Sequence, residues 1–231
     1  MNDRALVIHS GGMDSSLCLA LAIKEYGAEN VLSLSFTYGQ RHQNEIDRAK
    51  KICAQWGVEH QIINIDCLNK ITKSALLDTT TKIKHDKTPN TLVSGRNGLM
   101  VRIASIHAES LGIEKVYVGV IEVEEANSGY RDCSRSYMDI VQKALRIDFD
   151  NPDFEIVTPL VYMTKAQTMQ LGYDLKVLEF LLEETITCYE GIPKQGCQEC
   201  PACKLRNEGI KEFLEIKPNL KFSYKNQLFT K

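Results

Sequence analysis

The sequence has one tryptophan and six prolines in 231 residues. No apolar stretch approaches the ~20 residues a membrane-spanning helix requires. Neither sign of charge dominates: 28 Lys and Arg stand against 30 Asp and Glu, a formal net charge of −2. That balance argues against a strongly basic nucleic-acid binder, and a 43% hydrophobic content argues against a disordered or collagen-like chain. Internal repeats and low-complexity linkers are also lacking, so the chain reads as one domain over 1–231, with about 176–231 as a metal-binding C-terminal lobe. Met1 to Ala5 contains no apolar run of signal-peptide length, and the expected location is the cytoplasm, with neither membrane nor nucleic acid as partner. Oligomeric state is left open, a homodimer included.

What is present alternates regularly. Ala5–His9 is a short apolar, β-branched run that reads as a buried strand. After Ser10-Gly11-Gly12 the pattern takes a helical rhythm from Asp14, which Gly27 can end. Val31–Phe36, His60–Ile65, Lys115–Val120 and Phe154–Val157 read as further strands. Gln43–Trp56, Gly95–Leu111, Ser134–Arg146, Thr164–Leu171, Leu175–Glu184 and Cys203–Ile216 read as helices. The order implies an α/β fold: a Rossmann-like parallel five-stranded sheet with helices on both faces and a small helical lobe at the C-terminus. Thr72–Thr91 reads as a long loop, of the kind that is usually functional. The tail from Lys217 to Lys231 reads as polar and basic, without a motif.

The turn Ser10-Gly11-Gly12-Met13-Asp14-Ser15 sits between the first strand and the first helix. A helix start presents free N–H groups and a partial positive charge, and glycines let the backbone approach a phosphate closely. Ser10, Ser15 and Ser16 add hydroxyl donors. Asp14 reads either as a helix cap or as a carboxylate for a Mg²⁺ that bridges phosphates. The Walker pattern and G-x-G-x-x-G are both missing. The turn resembles the pyrophosphate loop S-G-G-x-D-S of N-type ATP pyrophosphatases, and that resemblance implies cleavage of ATP to AMP and pyrophosphate with activation of an acid as its adenylate.

Of eight cysteines, Cys188, Cys197, Cys200 and Cys203 lie in one stretch as C-x8-C-x2-C-x2-C. Four thiolates at this spacing suit a closed, structural Zn²⁺ site. An iron–sulfur cluster uses the same ligands and stays open. Cys18, Cys53, Cys67 and Cys133 are scattered and read as small core residues, with Cys133 also weighed as a nucleophile and set down as structural.

Further segments lie where strand ends and helix starts would face one crevice. They are Tyr38-Gly39-Gln40-Arg41-His42, Pro89–Asn97, Gly119-Val120, Ser128–Cys133 and Met163-Thr164-Lys165. With the glycine turn and the four cysteines, the runs Y-G-Q-R-H, P-N-T-x-x-x-G-R-N and S-G-Y-x-D-C make nearly the whole chain similar to the 7-cyano-7-deazaguanine synthase (QueC) family. That family sits within the ATP pyrophosphatase, or adenine nucleotide alpha hydrolase-like, superfamily. Two departures stand out: Ile121–Asn127 is long and acidic, and Arg131 replaces a usual proline.

The resemblance implies an ATP-dependent ligase that converts 7-carboxy-7-deazaguanine and ammonia into the nitrile, through adenylate and amide intermediates, in queuosine biosynthesis. The alternative is a related enzyme that adenylates a different carboxylate, on a protein or a tRNA. The resemblance assigns ATP and Mg²⁺ to His9, Ser10, Gly11, Gly12, Met13, Asp14, Ser15, Ser16, Leu17, Cys18, Leu19, Tyr38, Gln40, Arg41, His42, Gly95, Asn97 and Gly119. Arg96 and Lys165 are candidates for neutralising phosphate or an oxyanion. Asp132 suits the N–H edge of a deazapurine, against a plainer role as an acid at a helix N-terminus. A lysine at a helix start opposes the dipole, so an anion is expected near Lys165.

Overall fold

The computed structural model describes residues 4–38, 44–72, 93–122 and 130–228. Five strands, β1 (Ala5–Ile8), β2 (Val31–Thr37), β3 (Glu59–Asn64), β4 (Lys115–Val118) and β5 (Glu155–Val157), form one sheet in the order β3-β2-β1-β4-β5. Every neighbouring pair is parallel; Ile8 lies opposite both Leu34 and Val118. The helices are α1 (Met13–Tyr26), α2 (Asn44–Trp56), α3 (Leu68–Ile71), α4 (Arg96–Ser110), α5 (Arg135–Asp148), α6 (Lys165–Asp174), α7 (Leu178–Glu184) and α8 (Pro201–Ile216).

Alternation along β1 separates two cores. Ala5 and Val7 pack with Leu17 of α1, Ile52 of α2, Met169 of α6 and Phe213 of α8. Leu6 points the other way, onto Val101 and Ala104 of α4 and Met138 and Leu145 of α5. Helices therefore cover both faces, as a parallel sheet of short apolar strands requires. Leu17, Cys18 and Leu19 are consecutive and all fully buried, because α1 is held between the sheet and α7.

Several boundaries differ from the sequence reading. β4 ends at Val118, two residues early, and Gly119 lies against the start of α1. α6 runs on to Asp174, and α7 begins only at Leu178 because Lys176 adopts a φ of 61°, which no helix accepts. The polar tail is the larger correction. Leu220, Tyr224 and Leu228 are buried in the same core as Val7, and Lys225–Leu228 forms a short 3-10 turn. Cys18 and Cys53 are buried as expected, whereas Cys67 is exposed. The expected Thr72–Thr91 loop falls almost wholly outside the described residues. Among those described, no helix is long and apolar enough to cross a membrane.

Candidate functional site

β1 has β2 on one side and β4 on the other, so chain order reverses at β1. In open α/β sheets ligands bind beyond the carboxyl ends of the strands at such a point. A cavity of about 340 Å³ opens there, lined by the glycine turn, by Arg96 and Asn97 of α4, by Gly119 after β4 and by Lys165 of α6.

The glycine turn is shaped by close packing. Gly11 has a φ of +79° and approaches α2 so closely that a Cβ would stand 2.3 Å from the Glu45 carbonyl oxygen. A Cβ on Gly119 would lie 2.9 Å from the Ser15 nitrogen. Only glycine at these positions lets α2 and β4 support the turn from both sides. Ser15 Oγ donates to the Gly12 carbonyl at 3.1 Å and accepts from the Ser10 N–H at 3.1 Å, which closes the loop on itself.

Asp14 does not cap α1; the N-cap is Gly12, without a side-chain cap. Instead both carboxylate oxygens accept from Lys165 Nζ at 2.6 Å. Lys165 opens α6 under a capping box made by Thr164 and Gln167, and its side chain is 7% exposed against 27% for Asp14. Asp14 is the anion that the dipole argument required.

On the opposite wall, the Arg96 guanidinium lies 5.8 Å from the centre of the Tyr38 ring, and its Nη1 donates to the Tyr38 hydroxyl at 3.4 Å. Burial weighs against charge on Arg96. Tyr38, Asp132, Tyr189 and Tyr130 outweigh it and hold the guanidinium protonated. Asp132 accepts from the Asn97 N–H at 3.0 Å, so it caps α4 from a distant segment rather than the helix that follows it. Its second oxygen is buried with no partner among the described residues, and Asp132 does not line the cavity. Asn97 Nδ2 donates to Cys133 Sγ at 3.3 Å, and burial pushes that thiol up to about 11, which suits a structural residue.

Of the sequence candidates, His9, Ser10, Gly12, Met13, Asp14, Ser15, Tyr38, Arg96, Asn97, Gly119 and Lys165 border the cavity. Gly11, Ser16 and Gly95 do not line it, and Leu17, Cys18 and Leu19 are core residues of α1. The His9 ring is fully buried and bonded to Ser33 and Ser16; burial lowers its pKa to about 3 and keeps it neutral. Gln40, Arg41 and His42 lie outside the described residues, as do Ser128 and Gly129.

Two parts of the site were not singled out from the sequence. Glu45, in the first turn of α2, lines the cavity; burial pushes its carboxyl up to about 7, with Arg96 holding it back. It reads in sequence as an ordinary first-turn acid, three residues past the Tyr38–His42 run. The second is a wall supplied by the cysteine lobe. Ile186, Thr187, Tyr189 and the start of α8 at Pro201, Ala202 and Leu205 close one side of the cavity.

Within that lobe the sulfurs of Cys188, Cys197, Cys200 and Cys203 all lie within 4.8 Å of one another. Three receive backbone N–H groups: Cys188 from Cys197, Cys197 from Cys200 and Cys200 from Cys203, at 3.2–3.4 Å. Such donors favour thiolates, so the cluster is chemically fit to hold a metal ion.

The family model described as queuosine biosynthesis protein QueC matches residues 4–214. A 7-cyano-7-deazaguanine synthase of Clostridium botulinum is 41% identical over 217 residues, covering 91% of this chain and 96% of that protein. Among solved structures, the U34-tRNA thiolase NcsA of Methanococcus maripaludis, determined with its [4Fe-4S] cluster, superposes with a TM-score of 0.52 at 15% identity. It covers 97% of this chain and 75% of the thiolase. The NH3-dependent NAD synthetase of Campylobacter jejuni does so with a TM-score of 0.50 at 18% identity, covering 97% and 81%. At these identities the two structures speak for the fold alone.

Proposed function

The chain belongs to the QueC family of queuosine biosynthesis proteins, and we propose that it makes 7-cyano-7-deazaguanine from 7-carboxy-7-deazaguanine, ammonia and ATP. The observation that carries the reading is the cavity at the sheet's reversal point, where the glycine turn, the Lys165–Asp14 pair and Arg96 face one another.

The chemistry explains why such a site suffices. A nitrile requires both carboxylate oxygens to leave, and oxide or hydroxide leaves poorly. The substrate carboxylate attacks the α-phosphorus of ATP and pyrophosphate departs. Ammonia then attacks the acyl carbon, AMP leaves with the first oxygen, and an amide forms. The amide oxygen attacks a second ATP in the same way. Loss of AMP and of the remaining N–H protons closes the C≡N bond. One phosphate site serves both rounds.

In this reading the N–H groups and hydroxyls of Ser10, Gly11, Gly12 and Ser15 cradle the phosphates at the start of α1. Lys165, whose charge the Asp14 carboxylate balances here, neutralises phosphate charge, and Asp14 would hold Mg²⁺, which would supply further positive charge to the phosphates. Arg96 stabilises the developing oxyanion. Its Nε is buried without a partner among the described residues, as is Thr187 Oγ1, and both side chains border the cavity; a polar ligand would satisfy them. Cys188, Cys197, Cys200 and Cys203 would hold a structural Zn²⁺. Four sulfurs at ~2.3 Å in a tetrahedron stand ~3.8 Å apart, and Cys197 and Cys203 are separated by 3.9 Å. That spacing favours one ion over a cluster, whose irons and sulfides would push the cysteines apart.

The test is mass spectrometry of the whole chain with 7-carboxy-7-deazaguanine, ATP, Mg²⁺ and ammonium. The expected products are the nitrile, AMP and pyrophosphate, with the amide visible at early times. An untouched acid, or ADP and phosphate as the sole nucleotide products, would overturn the reading.

A further inference from the structure

Next to the glycine turn, four polar side chains converge, of which only His9 belongs to a residue that borders the cavity. They come from four elements: His9 follows β1, Ser33 lies on β2, Cys53 on α2 and His60 on β3. Cys53 Sγ is 3.5 Å from His9 Nδ1 and 3.7 Å from His60 Nδ1. Ser33 Oγ is 3.1 Å from His9 Nδ1 and 3.0 Å from His60 Nδ1. One ligand atom of each of His9, Cys53 and His60 lies within 4.8 Å of the others. None of these side chains has a part in the reaction derived above.

The hydrogen bonds fix the tautomer of one ring. Ser16 Oγ donates its single proton to the Gly12 carbonyl at 2.8 Å, so it accepts from His9 Nε2 at 3.0 Å. Nε2 therefore carries the proton, and Nδ1 turns a bare lone pair toward Cys53 and Ser33. A ring that donates from its outer nitrogen and leaves the inner one bare is the arrangement a metal-bound histidine needs. Spacing agrees with this. In a tetrahedral site with sulfur at ~2.3 Å and nitrogen at ~2.05 Å from the ion, the sulfur–nitrogen edge is ~3.6 Å. The two edges measured here, 3.5 and 3.7 Å, bracket it.

We propose that His9 Nδ1, His60 Nδ1 and Cys53 Sγ form a second metal site, separate from the four-cysteine cluster, which takes Zn²⁺ or a similar borderline-soft divalent ion with Ser33 Oγ at the fourth corner. One thiolate and two imidazoles select such an ion over Mg²⁺, which prefers oxygen. Binding balances simply: the ion enters, the Cys53 thiol gives one proton to solvent, and the His9 ring binds without change of protonation. His60 is half-buried and lies on β3, an edge strand of the sheet. The bound ion would tie β1, β2, β3 and α2 together next to the turn, since His9 precedes Ser10 and is bonded to Ser16.

The test uses the whole chain, purified without chelator, incubated with excess Zn²⁺ and desalted, with metal per chain measured by plasma mass spectrometry. Two ions are expected in the parent and one in each of His60→Gln and Cys53→Ser. Co²⁺ added as a second equivalent should give a tetrahedral visible spectrum in the parent that is lost in His60→Gln. One ion in the parent would show that the four groups form only a hydrogen-bonded network, and would overturn the proposal without recourse to a variant. Two ions retained in both variants would overturn it as well.

Discussion

Lys165 and Asp14 stand 151 residues apart in the chain, yet Lys165 Nζ lies 2.6 Å from both oxygens of the Asp14 carboxylate. The pair joins the first turns of α1 and α6, two positively polarised helix ends that would otherwise repel. It also balances a nearly buried ammonium at the mouth of a cavity proposed to receive phosphates.

Removing the two partners should have unequal effects on stability. Asp14→Ala removes the carboxylate that faces the nearly buried Lys165 ammonium, and is expected to cost about 3 kcal/mol, the low end for a broken buried pair. Lys165→Met leaves a carboxylate that keeps 27% of its exposure and can be hydrated, so it should cost less. Each should lower the rate of adenylation by about 100-fold or more. Urea denaturation and acid-dependent ATP–pyrophosphate exchange would check both; equal stability losses would refute the asymmetry.

Metal removal should reach the cavity. Thr187 and Tyr189 flank Cys188 and form part of the cavity wall, so a change at the four-cysteine cluster is expected to displace that wall. Cys197→Ser, or stripping with a strong chelator, is expected to lower the melting temperature and weaken ATP binding together. Calorimetry before and after chelation, and after Zn²⁺ is restored, would check it.

Gly119→Ala should perturb nucleotide binding from beneath. The added methyl would meet the backbone at Ser15 and Asp14 within about 3.0 Å. The helix start must shift, at a cost of about 1–3 kcal/mol. KM for ATP is expected to rise more than kcat falls, which steady-state kinetics would show.

Tyr224 separates packing from polarity. Its ring is 1% exposed, and its hydroxyl has no partner among the described residues. Tyr224→Phe should be close to neutral, whereas Tyr224→Ala should cost about 3–5 kcal/mol by leaving a cavity in the core. Paired denaturation curves would test this anchor of the C-terminal tail.

The two-round chemistry has its own stoichiometry. Two AMP should appear for each nitrile formed, and one AMP for each amide when the reaction is stopped early. A ratio of one AMP per nitrile, from isotope-labelled ATP and quantified product, would exclude a second adenylation.

Much of this architecture was legible in local pattern. Ala5–Ile8 is a short apolar, β-branched run and Val31–Phe36 alternates, so both read as strands, and the turn at Gly11-Gly12 lies between a strand and a helical rhythm. The four cysteines carry their meaning in their spacing, because closing a site within one stretch of sixteen residues needs no knowledge of the rest of the chain. The tertiary structure decided which of the chemically able residues face one another. Leu17, Cys18 and Leu19 adjoin the glycine turn in sequence, yet they are core residues because α1 is covered on both sides. Asp132 caps α4, not the helix it precedes, and Asp14 pairs with Lys165 instead of capping its own helix. Glu45 and the Thr187–Tyr189 wall join the cavity, and Tyr224 enters the core. Helix and strand periods depend on neighbours a few residues apart, and a sequence displays them directly. Contacts such as Asp14–Lys165 depend on how the packed elements bring distant segments together, and local periodicity does not encode that.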